Sequence, residues 1–497
     1  MPPSAPSPRA RRLWVWDIPT RRLASLRNAG SATMWPTCAV WTRPRWRRRC
    51  ASRLPRAKRR AAIWATGCLT CCGGPRRRWM PSSTRSVADP MRLSARLIGW
   101  SVPLMSEAAA LARSAILARM IGGEELGRAL VLTLVLRLAE MVSDVGIERF
   151  LIRQPGAMAP QMLAALHGAV LLRGLGMAAL LVAMALPMTV SLPDGASAAT
   201  YAALALAPLL RGGLHLAYRL DEREMRLWPM AVVEGGSVLA MLAALLPALA
   251  LWGDHRAMLV VLLMQAGAQV VLSHLVARVP YQMAFDRAVL AEVLRFGAPL
   301  VLNAGLMFLT FQADRLIVAG WYGWAAVAVY GVALQLAMLP AQIAGRAAGS
   351  LLAPGLRGIS GAALVDLSRR AVLGHLGLGL GFAAGFTLAA PPCIALVYGP
   401  AFRPDPALAL ALGLAAGARI LRTPLSQLAV ILGRTGDPAR ANLWRAGALV
   451  PALIAATLGL PLTAIAAAAA VGEAAATCRA LHLARGVLFP SLSKVRI

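Results

Sequence analysis

Charged and hydroxyl side chains recur at helical spacing inside long apolar stretches of the sequence. In the stretch near residues 126–147, Thr133, Arg137, Glu140 and Asp144 follow one another at i, i+4, i+7 and i+11, so they share one helix face. Charged groups inside a bilayer are costly and usually face protein or a water-filled space. The pattern therefore predicts a polar pathway between helices.

Similar faces in other apolar stretches supply the remaining candidate site residues. The candidates for substrate binding are Arg113, Arg137, Arg173, Arg211, Arg419 and Arg422. The candidates for gating or ion coupling are Glu140, Asp144, Asp314 and Arg315. Arginine binds phosphate oxygens with a planar fork, so six arginines facing one cavity favour a bulky anion such as a pyrophosphate head group. A buried carboxylate can titrate near neutrality, which suits ion coupling.

Each of these faces also has a structural interpretation. Arg137 and Glu140 could pair and lock the helix bundle, and Asp144 could reach the membrane interface as long charged side chains do. Polar stripes such as Gln265 and Gln269 are typical of hydrogen bonds between helices. Since the sequence has no nucleophile elbow, phosphate-binding loop or metal-spaced histidines, it predicts no enzyme activity, no cofactor and no metal site.

Composition identifies the elements that must position these residues. The chain has 497 residues, of which 58% are hydrophobic and only 15% charged, with a mean hydropathy of +0.62. A soluble protein of this size would carry nearer a quarter charged residues. We predict an all-α polytopic membrane protein with about twelve transmembrane helices in two pseudo-symmetric six-helix bundles. The predicted spans are 97–118, 126–147, 162–190, 199–219, 229–252, 257–277, 294–318, 323–345, 371–396, 407–432, 443–460 and 461–482.

The loops between these spans predict the topology. Arginines gather in alternate loops, and the intervening loops carry few basic residues, as in the stretch 191–198. Because basic residues accumulate in cytoplasmic loops, both termini are predicted to be cytoplasmic. The chain then divides into a bundle at 91–280, a cytoplasmic linker at 281–287 and a bundle at 288–497. Gly- and Ala-rich spans, 371–390 and 461–477 among them, predict close helix packing.

An internal repeat supports the division into two halves. The segment 114–131, SAILARMIGGEELGRALV, echoes 315–332, RLIVAGWYGWAAVAVYGV, and Gly122 corresponds to Gly323. Repeats of this kind are typical of transporters, which bind substrate between their halves.

The first 90 residues differ from the rest. They carry 20 Lys and Arg residues against two acidic ones, seven of the 13 Trp and no apolar periodicity. An RNA- or lipid-binding arm and a zinc site at Cys68 and Cys71 are two interpretations. The interpretation we favour is that translation starts at Met91 and that 1–90 is upstream or out-of-frame sequence. The net charge of +31 therefore does not predict nucleic-acid binding.

Three segments resemble a known family. Arg113–Gln154, RSAILARMIGGEELGRALVLTLVLRLAEMVSDVGIERFLIRQ, resembles the N-terminal hallmark of bacterial polysaccharide biosynthesis proteins, the O-antigen type oligosaccharide flippases. Ala313–Leu336 is similar to their second-half segment, and Ala395–Pro404, ALVYGPAFRP, resembles their "lyGpeF" loop. The resemblance covers about 91–490. In a departure from the pattern, Trp321 and Tyr322 stand where the family has a small turn.

The resemblance implies an exporter of the multidrug/oligosaccharidyl-lipid/polysaccharide superfamily. Such proteins move undecaprenyl-pyrophosphate-linked sugars across the bacterial inner membrane by alternating access. It implies basic cavity residues at Arg113, Arg137 and Arg422, and as partners a lipid-linked oligosaccharide, membrane lipids, a polysaccharide polymerase and glycosyltransferases. The alternatives are a cation-coupled multidrug exporter of the same superfamily and a flippase for the peptidoglycan precursor.

Overall fold

Every regular element in the described part of the chain is a helix. The computed structural model describes residues 90–154, 158–224, 226–352, 356, 359–434 and 436–489, so the interpretations of residues 1–89 lie outside the described residues. The N-terminal helices are α1 (Pro90–Val142), α2 (Ile147–Arg153), α3 (Pro160–Ser191), α4 (Ala198–Ala203), α5 (Leu206–Arg211), α6 (Ala217–Arg223), α7 (Trp228–Met230), α8 (Gly236–Trp252) and α9 (Arg256–Val276). The C-terminal helices are α10 (Arg287–Phe311), α11 (Ala313–Trp321), α12 (Trp324–Ala347), α13 (Gly361–Tyr398), α14 (Pro406–Ile431), α15 (Gly436–Ala446), α16 (Leu449–Thr457) and α17 (Leu462–Leu488).

The chain is an all-α, multi-pass membrane protein, and its described residues form seven helices long and apolar enough to cross a bilayer. An eighth span results if the bent pair within α10 is counted as one. These correspond to eight of the predicted spans. Of the other four predicted spans, two fall in the long interrupted helix α1. The remaining two correspond to the short helices α4–α6 and α15–α16. The count of twelve therefore stays a prediction.

Two glycines interrupt the first span pair of each half in the same way. Gly122 has φ 78° and ψ −178°, and Gly323 has φ 82° and ψ 170°. This backbone region is essentially restricted to glycine. The two positions are the ones that the internal repeat aligned, so the repeated sequence also has a repeated backbone conformation. Trp321 and Tyr322 are accommodated before this turn, with the Tyr322 hydroxyl donating to the carbonyl oxygen of Leu460 at 2.7 Å.

The two copies of the repeat pack against each other. A Cβ atom at Gly127 would collide with the carbonyl oxygen of Trp324, so only glycine lets α1 and α12 approach this closely. Leu132 on α1 and Tyr330 on α12 are fully buried in the main hydrophobic core. The described residues all fall in one compact unit, and the division at 281–287 stays a prediction.

Small residues also set the packing of the C-terminal helices. A Cβ atom at Gly379 on α13 would lie 2.5 Å from the carbonyl oxygen of Gly417 on α14. Glycine at both positions therefore brings the two helix backbones together, as the small-residue pattern predicted for this region.

Candidate functional site

The first cavity lies among α1, α3, α5, α8 and α9 and has a volume of about 450 Å³. We call it the acidic cavity, because four carboxylates and two arginines line it. Its charged lining residues are Glu140, Asp144, Glu148, Glu234, Arg173 and Arg211. Ser106, Ser237, Gln265 and Gln269 add hydrogen-bonding groups.

Ion pairs already engage most charges of the acidic cavity. Arg211 forms an ion pair with Glu140, and Arg173 donates to the Glu140 carbonyl oxygen at 3.4 Å. Behind the wall, Arg219 lies 2.7 Å from Glu148 and 2.6 Å from Glu234. The arginines of this region therefore neutralise its carboxylates instead of leaving a strongly positive surface.

The second cavity lies among α10, α12, α14 and α15 and has a volume of about 430 Å³. We call it the basic cavity, because Arg346, Arg419 and Arg422 line it and its lining contains no carboxylate among the described residues. The neutral polar groups beside these arginines are Gln342, Thr423, Ser426, Gln427 and Asn442. Arginines next to amides and hydroxyls are the donor set that binds a phosphate attached to a sugar.

A fully buried carboxylate organises the wall of the basic cavity. Glu473 on α17 has no exposed surface, and its oxygens lie 2.6 Å from Arg445, 3.1 Å from Arg422 and 3.9 Å from Arg419. Arg422 also donates to the side-chain oxygen of Asn442 at 2.5 Å. One carboxylate thus holds three guanidinium groups in place, which leaves the cluster positive.

A third group of charges lies at α1 and α11, outside the lining of both cavities. Arg137 is exposed and lies within electrostatic range of Arg113 and of Arg315. Arg113 donates to the sulfur of Met241 at 3.1 Å.

The neighbouring Asp314 is buried, and it is fixed at both carboxylate oxygens. It accepts a hydrogen bond from the Tyr330 hydroxyl at 2.7 Å and one from the backbone N–H of Arg315 at 2.9 Å. Asp314 is therefore held rigidly beside the arginine group.

The structure thus distributes the predicted site residues over three places instead of one gap. Glu140, Asp144, Arg173 and Arg211 meet in the acidic cavity. Arg419 and Arg422 meet in the basic cavity. The remaining candidates are Arg113, Arg137, Asp314 and Arg315. Their functional roles stay predictions.

One ion pair joins a residue that lines the basic cavity to the sequence neighbour of a residue that lines the acidic cavity. Arg346, which lines the basic cavity, is 3.7 Å from Glu107, the neighbour of the acidic-cavity residue Ser106. The pair connects α1 to α12.

Comparison with known proteins decides the family. A family model described as "Polysaccharide biosynthesis protein" matches residues 116–404, which is more than half of the chain. The chain belongs to the polysaccharide biosynthesis protein family. The acidic cavity, apart from Ser106, lies inside the matched region, and so do Gly122 and Gly323. Most residues that line the basic cavity, Arg419 and Arg422 among them, lie beyond it. The match confirms the resemblance noted in the sequence.

Two solved structures illustrate the fold that this chain shares with membrane transporters. "Lipid II flippase MurJ, inward closed conformation" matches with a TM-score of 0.61 and 12% identity, covering 80% of this chain and 91% of that one. An inward-facing multidrug resistance MATE family transporter of the MOP superfamily matches with a TM-score of 0.53 and 15% identity, covering 81% and 99%. No curated protein is similar enough to count as a match. At these identities the likeness shows the fold alone.

The sequence did not point to several residues of the polar network. Arg445 and Arg219 lie at the ends of the predicted spans 443–460 and 199–219, where charged side chains commonly reach the membrane surface, so their positions gave no signal. Glu473 is the one acidic residue in the span 461–482, which was a usable signal. Gln265 and Gln269 were visible from their i, i+4 spacing, and both line the acidic cavity.

Proposed function

We propose that the protein flips an undecaprenyl-pyrophosphate-linked oligosaccharide across the bacterial inner membrane for surface polysaccharide biosynthesis, by alternating access. The observation that carries the proposal is the basic cavity, where Arg419 and Arg422 stand beside amide and hydroxyl groups. The arginines bind the pyrophosphate, and the amides bind sugar hydroxyls. The lipid tail stays in the bilayer between the two bundles.

The family supports this assignment at a coarser level. Its members act in polysaccharide biosynthesis, and one structural neighbour carries the name of a lipid flippase. The partners of this chain are then the lipid-linked oligosaccharide and membrane lipids, with a polysaccharide polymerase and glycosyltransferases acting before and after it.

The acidic cavity supplies the coupling step in this proposal. Glu140 and Asp144 bind a cation or a proton when the ion pair between Glu140 and Arg211 opens. Asp314 holds α11 against α12 by accepting a hydrogen bond from Tyr330, and together with Arg315 it acts as a gate between conformations. Both termini lie in the cytoplasm, as the loop arginines predict.

A cation-coupled multidrug exporter is the second candidate, and a specific observation favours it. Four carboxylates and two arginines line the acidic cavity, so opening of the ion pairs that now neutralise the carboxylates leaves a lining that suits an organic cation. A flippase for the peptidoglycan precursor is a third candidate, and depletion of the protein would then be lethal.

Complementation of an export-deficient strain tests the proposal. Arg419→Ala and Arg422→Ala are expected to abolish export of surface polysaccharide while the protein remains in the membrane, because both side chains line the basic cavity. The matched control is Arg403→Ala, since Arg403 is exposed and lies outside both cavities. Unchanged export by both variants would remove the site assignment. Restored drug resistance in a sensitive strain, without restored export, would favour the multidrug exporter.

A further inference from the structure

Three of the six histidines form one cluster that neither cavity uses. The rings of His167 on α3 and His215 lie 4.9 Å apart, and the ring of His274 on α9 lies 5.3 Å from that of His215. The Tyr281 ring closes the cluster at 4.5 Å from His167 and 4.9 Å from His274. Tyr281 belongs to the connecting segment, residues 277–286, between α9 and α10.

The hydrogen bonds of His167 require a neutral ring. Its Nδ1 lies 2.7 Å from the carbonyl oxygen of Gln282, so this nitrogen carries the proton and donates. Its Nε2 accepts from the backbone N–H of Leu216 at 3.2 Å. A protonated imidazole has no acceptor nitrogen, so protonation breaks the second bond.

His215 also donates from one ring nitrogen and accepts at the other, but the roles of Nδ1 and Nε2 are exchanged relative to His167. Its Nε2 lies 3.0 Å from the carbonyl oxygen of Val279 and donates, and its Nδ1 accepts from the backbone N–H of Ala217 at 3.1 Å. Both histidines thus fasten a carbonyl group of the connecting segment, and both must be neutral to keep their backbone acceptor bonds.

The connecting segment is also fitted to α3 through its backbone. The N–H of Ala284 donates to the carbonyl oxygen of Ala164 at 3.0 Å. A Cβ atom at Gly168 would collide with the carbonyl oxygen of Ala284. The other side of the segment faces outward, since Met283 and Phe285 are exposed. The segment therefore depends on a few polar contacts with α3 and on the two histidines.

Among the described residues, the groups that contact the three imidazoles are other rings and backbone groups, and none of them is a carboxylate that would stabilise a bound proton. The titratable groups that face one another are His167 from α3, His215 from the turn before α6, His274 from α9 and Tyr281 from the connecting segment. The bonds of the three rings described here all end on backbone groups, and the third goes from His274 to the carbonyl oxygen of Gly213 at 2.9 Å. Both ring nitrogens of His167 and of His215 are bonded to backbone groups, so neither ring offers a free lone pair to a metal ion.

We propose that this histidine cluster is a proton-binding site, and that protonation of His167 or His215 releases the connecting segment from α3. Protonation removes an acceptor bond and adds a cation next to two other imidazoles. The inference rests on the proposed function, because the connecting segment joins the two halves that must move during alternating access. Release below neutral pH makes the movement of the halves dependent on protons.

The direction and size of the pH effect on release of the connecting segment follow from the difference in proton binding between the two states. The fastened state keeps the histidines neutral, whereas the released state titrates at the ordinary value of about 6.5. A fall from pH 7.5 to pH 5.5 therefore shifts the equilibrium toward release by about tenfold for each histidine, because the released state binds more protons.

Hydrogen exchange of the full-length protein in detergent, without substrate, tests the proposal. Exchange at residues 279–286 is measured by mass spectrometry at both pH values and corrected for the intrinsic rate with a reference peptide. The corrected exchange of the wild type is expected to rise about tenfold or more at the lower pH.

Two substitutions keep the fastening donors but remove the proton site. His167→Asn places an amide N–H near the position of Nδ1, and His215→Gln places one near Nε2. The double variant should show exchange that does not change with pH. His375→Gln is the matched control, since His375 bonds Ala371 within α13, and it should behave as the wild type.

Wild-type exchange that does not respond to pH would overturn the proposal, and so would a full pH response in the double variant. A failed export assay with an intact pH response would instead remove the flippase assignment and leave the proton site standing.

Discussion

Glu473→Gln is the substitution whose effect the structure determines most sharply. Glu473 has no exposed surface and lies within 4 Å of three guanidinium groups, those of Arg419, Arg422 and Arg445. Glutamine keeps the size of the side chain and removes its charge. Three arginines then remain close together without the carboxylate that neutralised part of their charge.

The expected loss of stability on Glu473→Gln follows from the burial of the ion pairs that Glu473 forms. Removing one partner of a buried ion pair costs about 3–5 kcal/mol, because the other charge is left without compensation. An exposed pair supplies the matched comparison: Arg370 lies 2.9 Å from Asp366, and both side chains are more than half exposed. Asp366→Asn should cost less than about 1 kcal/mol.

The free energy of unfolding of purified protein in detergent measures this difference. We expect Glu473→Gln to lower the free energy of unfolding by several times the effect of Asp366→Asn. Adding Arg445→Gln should recover part of the loss, because it removes one of the repelling charges, and a double-mutant cycle measures that coupling. Equal effects of Glu473→Gln and Asp366→Asn would refute the assigned role of Glu473.

Two further predictions concern the backbone at Gly323 and the carboxylate of Glu125. Gly323→Ala should destabilise the protein by about 1–3 kcal/mol, because its backbone conformation is strained for any residue with a Cβ atom. An added Cβ atom would meet no neighbouring atom at Gly320 or at Gly323, but the backbone angles of Gly320 are ordinary. Gly320→Ala should therefore destabilise the protein less in the same thermal-unfolding assay. Partial burial raises the pKa of Glu125, but hydrogen bonds from His255 and the charges of His255 and Arg128 outweigh it, so the pKa lies below its ordinary value. Its stabilising effect is full above the ordinary carboxyl pKa of about 4.3 and is lost as the pH falls through the lower pKa, so Glu125→Gln should reduce the acid sensitivity of unfolding.

The sequence predicted the helical membrane fold because that information is local. Long apolar stretches mark spans wherever they occur, and the repeat around Gly122 and Gly323 is readable because only glycine adopts the required backbone angles. The breaks were harder to predict. The predicted span 199–219 contains two short helices and part of a third, and its composition does not show where backbone hydrogen bonds will be interrupted.

The candidate site was predicted in its residues but not in its arrangement. Helical spacing places Arg419 and Arg422 near one face of α14, and the structure places both in the basic cavity. Pairing across distant segments is not encoded in local spacing. Arg211 and Glu140 are 71 positions apart, and their ion pair places the arginine in the acidic cavity.

Transfer of a fluorescent undecaprenyl-pyrophosphate-linked sugar across the bilayer of proteoliposomes tests the central claim most directly. Wild-type protein should move the lipid, and the Arg419→Gln/Arg422→Gln double variant should lose that movement while Arg403→Gln retains it. Equal transfer by the wild type and the double variant would contradict the claim that the basic cavity binds the pyrophosphate.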